Sequence, residues 1–162
     1  MDIEKRLQEL GFTLPQPAIP VASYLPYRIS GVHVYISGQL PMLDGQLLFS
    51  GKVGAEISIE QARRSAEICG LNILAQLKAA CDGDWRRVTA CIKLGGFVQC
   101  VPAFTDHPKV INGASDLMVA VLGDVGRHAR FAVGVASLPL NACVEIDAIF
   151  EVRSTYSSLA ID

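Results

Sequence analysis

Hydrophobic positions recur along this chain with two periods. A spacing of three to four marks helices, and a spacing of two marks strands. Residues 2–10 place Ile3, Leu7 and Leu10 on one face, and Gly11 ends the pattern, so a short amphipathic helix is predicted there. Pro15, Pro17 and Pro20 then hold an extended segment. Tyr24–Ser30 and Val32–Ser37 read as strands joined at Gly31, where a hairpin would turn. In the second strand Val32, Val34 and Ile36 share one face; His33, Tyr35 and Ser37 share the other. Beyond Ser37-Gly38-Gln39, Pro41 and Asp44-Gly45 turn the chain. Leu47–Phe49 is expected to add a third short strand.

Ser58-Ile59-Glu60-Gln61 has the form of a capping box, in which the Ser58 hydroxyl and the Gln61 side chain satisfy orphan N–H groups. The helix it opens runs to Ala80, with Ala62, Ala66, Cys69, Ile73 and Leu77 along one side, and Asp82-Gly83-Asp84 ends it. Trp85–Cys100 alternates as a strand, and Gly95-Gly96 marks a bulge or a close approach. A second long helix covers Asp106–Leu122, with Pro108 in its first turn and Val110, Leu117 and Val121 inward. Arg130–Ala136 and Cys143–Val152 are the last strands. The order β-β-β-α-β-α-β-β lacks strict alternation. It predicts an α+β fold, one mixed sheet with two helices on one face. No repeat or linker divides the chain, so residues 1–162 form one domain, with 1–20 as an N-terminal helix and Pro-rich extension.

The last two strands carry the candidate chemistry. In the first of them Phe131, Val133 and Val135 are bulky and are expected to meet the helices. Arg130, Ala132, Gly134 and Ala136 would form a small-residue face with one cation, leaving room for a ligand or a neighbouring subunit. In the other, Val144, Ile146, Ala148, Phe150 and Val152 form the core face and Glu145 points away. Arg130 and Glu145 are thus expected on the same face, in one cleft or as a surface ion pair.

Composition narrows the function. Half the residues are hydrophobic (51%) but only 7% are aromatic, and charged residues are 19%. The core is aliphatic, and a mean hydropathy of +0.35 suggests that some apolar surface is covered by another subunit. A net charge of −2 offers no basic stripe, which disfavours a dedicated nucleic-acid binder. The N-terminus lacks the pattern of a signal peptide, and no run of eighteen apolar residues exists, so no membrane association is expected. Five cysteines without a C-x-x-C pair fit neither a zinc site nor a redox motif; reduced thiols in the cytoplasm are expected, with no metal.

Three segments in order resemble the YjgF/Rid family of imine and enamine deaminases. They are Ile36-Ser37-Gly38-Gln39-Leu40-Pro41, then Val110-Ile111-Asn112, then Ala129 through Pro139 followed by Val144-Glu145-Ile146. The resemblance spans Tyr24 to Val152, and the N-terminal helix suggests a longer subgroup. It implies a chorismate-mutase-like fold and a homotrimer with a barrel-like centre and a ligand cleft at each subunit interface. The implied chemistry is hydrolysis of a 2-imino acid to a 2-keto acid and ammonia, without a cofactor. By the same resemblance Arg130 grips the substrate carboxylate and Glu145 activates the attacking water, while Tyr24, Ser37 and Asn112 line the cleft. On residue type alone, those three are a half-buried aromatic, a turn hydroxyl and a helix-start residue. Ala132 stands where the family's deaminases carry cysteine, Gly134 where many members carry a charge, and His128 where proline or alanine is usual. A differently shaped pocket is implied. Arg127 and His128 are either extra anion ligands or a solvated loop. The competing readings are a trimeric metabolite-binding regulator that turns nothing over and, ranked lowest, an endoribonuclease or translation inhibitor, since no histidine pair is placed for RNA cleavage.

Overall fold

The computed structural model describes residues 3–17 and 23–154. Helix α1 (Ile3–Glu9) is followed by a hairpin of strands β1 (Tyr27–Ser30) and β2 (His33–Gln39). Gly31 turns it with φ at +60°, a conformation open to glycine. A small separate hairpin, β3 (Met42–Leu43) with β4 (Gln46–Leu47), comes next. Then follow α2 (Ile59–Ala80), β5 (Val88–Gln99), α3 (His107–Leu122), β6 (Ala129–Val135) and β7 (Val144–Val152). Five strands make the main sheet in the order β1-β2-β7-β5-β6. The β5–β6 pair is parallel, so α3 crosses between them; the other pairs are antiparallel. Among the described residues no helix is long and apolar enough to cross a membrane.

The mixed sheet with α2 and α3 on one face is as the periodicity predicts. Leu47 does not add a strand to it, because the Asp44-Gly45 turn folds that segment back on Met42–Leu43. Tyr24 precedes β1, and Trp85 sits in a single 3₁₀ turn before β5. Pro20 lies outside the described residues.

The capping box forms as expected: Gln61 N–H donates to Ser58 Oγ at 3.1 Å, and Ser58 N–H donates to Gln61 Oε1 at 2.9 Å. Ala62, Ala66, Cys69, Ile73 and Leu77 are fully buried, and so are Val144, Ile146 and Phe150 facing them from β7. Helix α1 docks onto this layer through buried Ile3 and Leu7. Glu4 ties it down, accepting from Trp85 Nε1 at 2.9 Å and pairing with Lys78 Nζ at 2.7 Å.

Helix α3 lies very close to its neighbours. A side chain at Gly96 would run into Ile111, and one at Gly134 would press on His107 and Cys100. A side chain at Gly113 would strike the backbone carbonyl of Arg63 on α2. Gly95-Gly96 therefore marks a close approach; the β5 register shifts fall earlier, between Val88 and Ala90 and between Cys91 and Lys93.

This closeness reverses the expected faces of β6. Register pairs Leu94 with Arg130, Gly96 with Ala132 and Val98 with Gly134. Leu94 and Val98 are core residues, so Arg130 and the small positions Ala132 and Gly134 face the helices. Phe131, Val133 and Val135 point to the open side of the sheet, where Val133 remains 43% exposed. Bulk there was expected to mean burial under a helix, but α3 leaves no room for it.

Two tests follow. Gly113→Ala should gain up to about 1 kcal/mol of helix propensity yet lose about 1–3 kcal/mol to backbone overlap. A net fall in Tm of a few degrees in a thermal melt is expected. All five cysteines are free and buried. Burial raises the Cys69, Cys81, Cys91, Cys100 and Cys143 thiols, Cys91 to about 12. Thiol titration of the native protein at pH 8 should therefore be slow, and after denaturation without reductant it should count five.

Candidate active site

The residues singled out in the sequence fall into two groups. Arg130 opens the edge strand β6 beneath α3. Its Nη1 donates to Ser115 Oγ at 3.0 Å and its Nη2 to the Pro108 carbonyl at 3.4 Å. Pro108, Asn112 and Ser115 recur at four and three residues along α3, so Asn112 lies on the stripe that Arg130 touches at both ends. Arg130 is half-buried and has no carboxylate partner among the described residues.

His128 extends this group. Its Nε2 lies 2.9 Å from Ser115 Oγ and its Nδ1 lies 2.7 Å from the Gly126 carbonyl. Arg127 does not join it; its Nε pairs with Asp124 at 3.1 Å in a solvated turn. Further along β6, Gly134 opens onto His107, whose Nε2 lies 3.5 Å from Cys100 Sγ. Ala132 between them packs against the core.

The second group lies on the open face of the sheet. The β2–β7 register slips between Ile36 and Gln39, a bulge at Ser37-Gly38. A side chain at Gly38 would overlap the Glu145 carboxylate, so glycine leaves that oxygen its space. Ser37 Oγ donates to the Leu25 carbonyl at 2.7 Å, and Ser37 N–H donates to the Pro26 carbonyl at 3.0 Å. Ser37 thereby pins the loop that carries Tyr24, which is 59% exposed. Glu145 has no hydrogen bond or ion pair among the described residues. Desolvation on the sheet, and then the nearby Asp147 carboxylate, raise its pKa above the ordinary range. Asp147 is raised too, chiefly by desolvation.

Arg130 and Glu145 do not share a face. Glu145 pairs in register with Phe97 on the open side, whereas Arg130 lies with Leu94 on the helix side. The expectation that both point away from the helices is corrected by the reversed parity of β6. Within one chain Ser37, Glu145 and the Tyr24 loop lie on one side of the sheet, and Arg130 and Asn112 on the other.

Ser115 and Asp147 were not anticipated. A polar residue three positions after Asn112, on the stripe facing β6, was the available signal for Ser115. A second acid two residues from Glu145 was the signal for Asp147.

Comparison with known proteins places this arrangement in a family. The family model described as "YjgF/chorismate_mutase-like, putative endoribonuclease" matches residues 4–152. Protein TCP17 of Trypanosoma cruzi is 43% identical over 153 residues, covering 94% of this chain and 95% of its own length. "Putative regulator AldR" of Lactococcus lactis is 31% identical over 145 residues, covering 88% and 96%. Among solved structures, the Atu1372 protein of Agrobacterium tumefaciens is 55% identical with a TM-score of 0.89, covering 93% of this chain and 92% of its own. The chain belongs to the YjgF/Rid family and has its chorismate-mutase-like α+β fold.

The raised Glu145 pKa sets a pH dependence. An acid whose folded pKa exceeds its unfolded one contributes stability below the unfolded pKa and loses it as pH rises through the folded pKa. The ionised form therefore weighs against folding at neutral pH. Glu145→Gln should melt above wild type at pH 7, and that gap should shrink as the pH approaches 4.

Proposed function

We propose that the protein hydrolyses 2-imino and enamino acids to 2-keto acids and ammonia in a cleft between copies of itself. The observation that carries this reading is the Arg130 guanidinium, half-buried and held by two neutral oxygens, with no anionic partner among the described residues. A planar, permanently charged fork so placed suits a carboxylate. The Glu145 carboxylate, raised toward neutral pH, suits a group that both takes and returns a proton. Water adds to the imine carbon as Glu145 takes its proton. That proton passes to nitrogen to give a carbinolamine; Glu145 then carries the hydroxyl proton to nitrogen as well, the C–N bond breaks, and the carbonyl forms as ammonia departs. An enamine enters after tautomerising to the imine. Asn112 beside Arg130, and Ser37 with the Tyr24 loop beside Glu145, line the two walls.

Because one chain holds Arg130 and Glu145 on opposite faces, a site using both takes them from two copies. The open face supports such an assembly. It presents Phe131, Val133 at 43% exposure and Tyr35 at 46%, apolar area that a neighbour would cover. We infer a homotrimer of about 52 kDa, three times the 17.4 kDa chain, acting on a small carboxylate-bearing metabolite in the cytoplasm. The covered face is then the one carrying Phe131 and Val133, not the small-residue face that the sequence suggested.

A second reading has one observation in its favour: a relative at 31% identity carries a regulator's name. In it Arg130 captures a metabolite and no turnover follows. Endoribonuclease activity is named in the family model's description, and the arrangement of the histidines speaks against it. The three histidines sit in separate surroundings, beside Tyr35, Cys100 and Ser115.

The test supplies imines from an amino-acid oxidase and follows keto-acid release against semicarbazide trapping. Wild type should accelerate release. Arg130→Ala should lose turnover and weaken pyruvate binding about a hundredfold or more, given about 1.5–3 kcal/mol per charge-assisted bond. Arg130→Lys should weaken binding less. Glu145→Gln should bind pyruvate but release no product. Co-refolded Arg130→Ala and Glu145→Gln chains should regain activity, since some clefts then carry both native residues. A wild type sedimenting as a monomer, with no such regain, defeats the shared cleft. Pyruvate binding without product from any imine favours the regulator.

A further inference from the structure

We infer that Ser115 and His128 are positioning residues that aim the Arg130 fork, through a hydrogen-bond relay that runs from Arg130 through Ser115 to the neutral His128 ring and the Gly126 carbonyl. The inference rests on Arg130 being the carboxylate grip and adds how the grip is oriented.

The relay is read from its terminus. The Gly126 carbonyl can only accept, so His128 Nδ1 carries the hydrogen it receives at 2.7 Å. In the neutral ring that leaves Nε2 as an acceptor, 2.9 Å from Ser115 Oγ. The Ser115 hydroxyl therefore donates to His128, and its lone pairs turn toward Arg130. Nη1 donates into them at 3.0 Å. The Pro108 carbonyl takes a hydrogen from Nη2 at 3.4 Å. Two of the five guanidinium donors are thus committed to α3, and three remain for a ligand.

No acid takes part, so the relay orients the cation without neutralising it. An aspartate at position 115 would hold the guanidinium more strongly and compete with the substrate carboxylate. A serine on its own could rotate its hydroxyl hydrogen toward the guanidinium; His128 removes that option. The two residues act as one unit, and loss of either frees the fork to swing on its long side chain. A planar carboxylate, bound by two parallel bonds, is sensitive to that freedom.

The experiment is a double-mutant cycle read by calorimetric titration with pyruvate and by imine turnover. Ser115→Ala and His128→Ala should each weaken pyruvate binding roughly five- to tenfold, the scale of one lost hydrogen bond. Ser115→Ala/His128→Ala together should bind no more weakly than Ser115→Ala. His128→Gln, whose amide oxygen can accept near the Nε2 position, and Ser115→Thr should recover most of the loss. Each alanine variant should raise KM more than it lowers kcat, since the carboxylate grip is made before and during reaction alike. In an Arg130→Ala background, Ser115→Ala should change nothing further. Losses that add, or single variants that bind as wild type while Arg130→Ala does not, overturn the relay and leave the proposed function standing. Undiminished pyruvate binding by Arg130→Ala overturns the grip itself.

Discussion

The close seating of α3 is the constraint on which the rest of this structure depends. Ile111 rests on Gly96, His107 stands over Gly134, and Gly113 meets the Arg63 carbonyl. No large side chain fits beneath the helix at Ala132 and Gly134, so β6 turns Phe131 and Val133 outward. The same packing brings Pro108 and Ser115 within reach of Arg130. It also leaves Phe131 and Val133 on a face that the single chain does not cover. The placement of Arg130 and the uncovered apolar face are two results of one helix–sheet distance.

Electrostatics is divided along the same plane. The cation on the helix side is surrounded by neutral acceptors and keeps its charge available. The acid on the open side has no partner among the described residues, and desolvation favours its protonated form. Neither group has a partner of opposite charge among the described residues. An Arg130–Glu145 pair within one chain would have neutralised both and left neither for a substrate. Their separation by the sheet keeps each available for chemistry.

Much of this was legible in the chain. The Ser58–Gln61 cap, the α2 stripe from Ala62 to Leu77, and the inward positions of β7 each follow from periodicity or from capping chemistry. The resemblance carried by Ser37-Gly38-Gln39, Asn112 and the Arg130 segment held for the family and the fold. The facing of β6 was not legible, because alternation tells which residues share a face but not which face looks inward. Size normally settles that question, and here the helix approaches so closely that size gives the opposite answer. Leu47 could not be placed in advance either: a two-residue hairpin and a sheet strand have the same local pattern, and long-range pairing alone separates them. The Ser115–His128 link joins residues thirteen apart across a turn, and no periodicity reports it.

The edge position of β6 has a consequence for how the placement of Arg130 could be kept or lost in evolution. Among the described residues the strand is hydrogen-bonded on one side only, to β5, and its parity is set by that single parallel pairing. A slip of one residue would exchange every inward side chain for its neighbour. Phe131 would then be driven under α3, and Arg130 would be carried to the open face. The inward placement of Arg130 is therefore inherited as a register as much as a residue. Length changes in the turn between α3 and β6 are as damaging to it as replacement of the arginine.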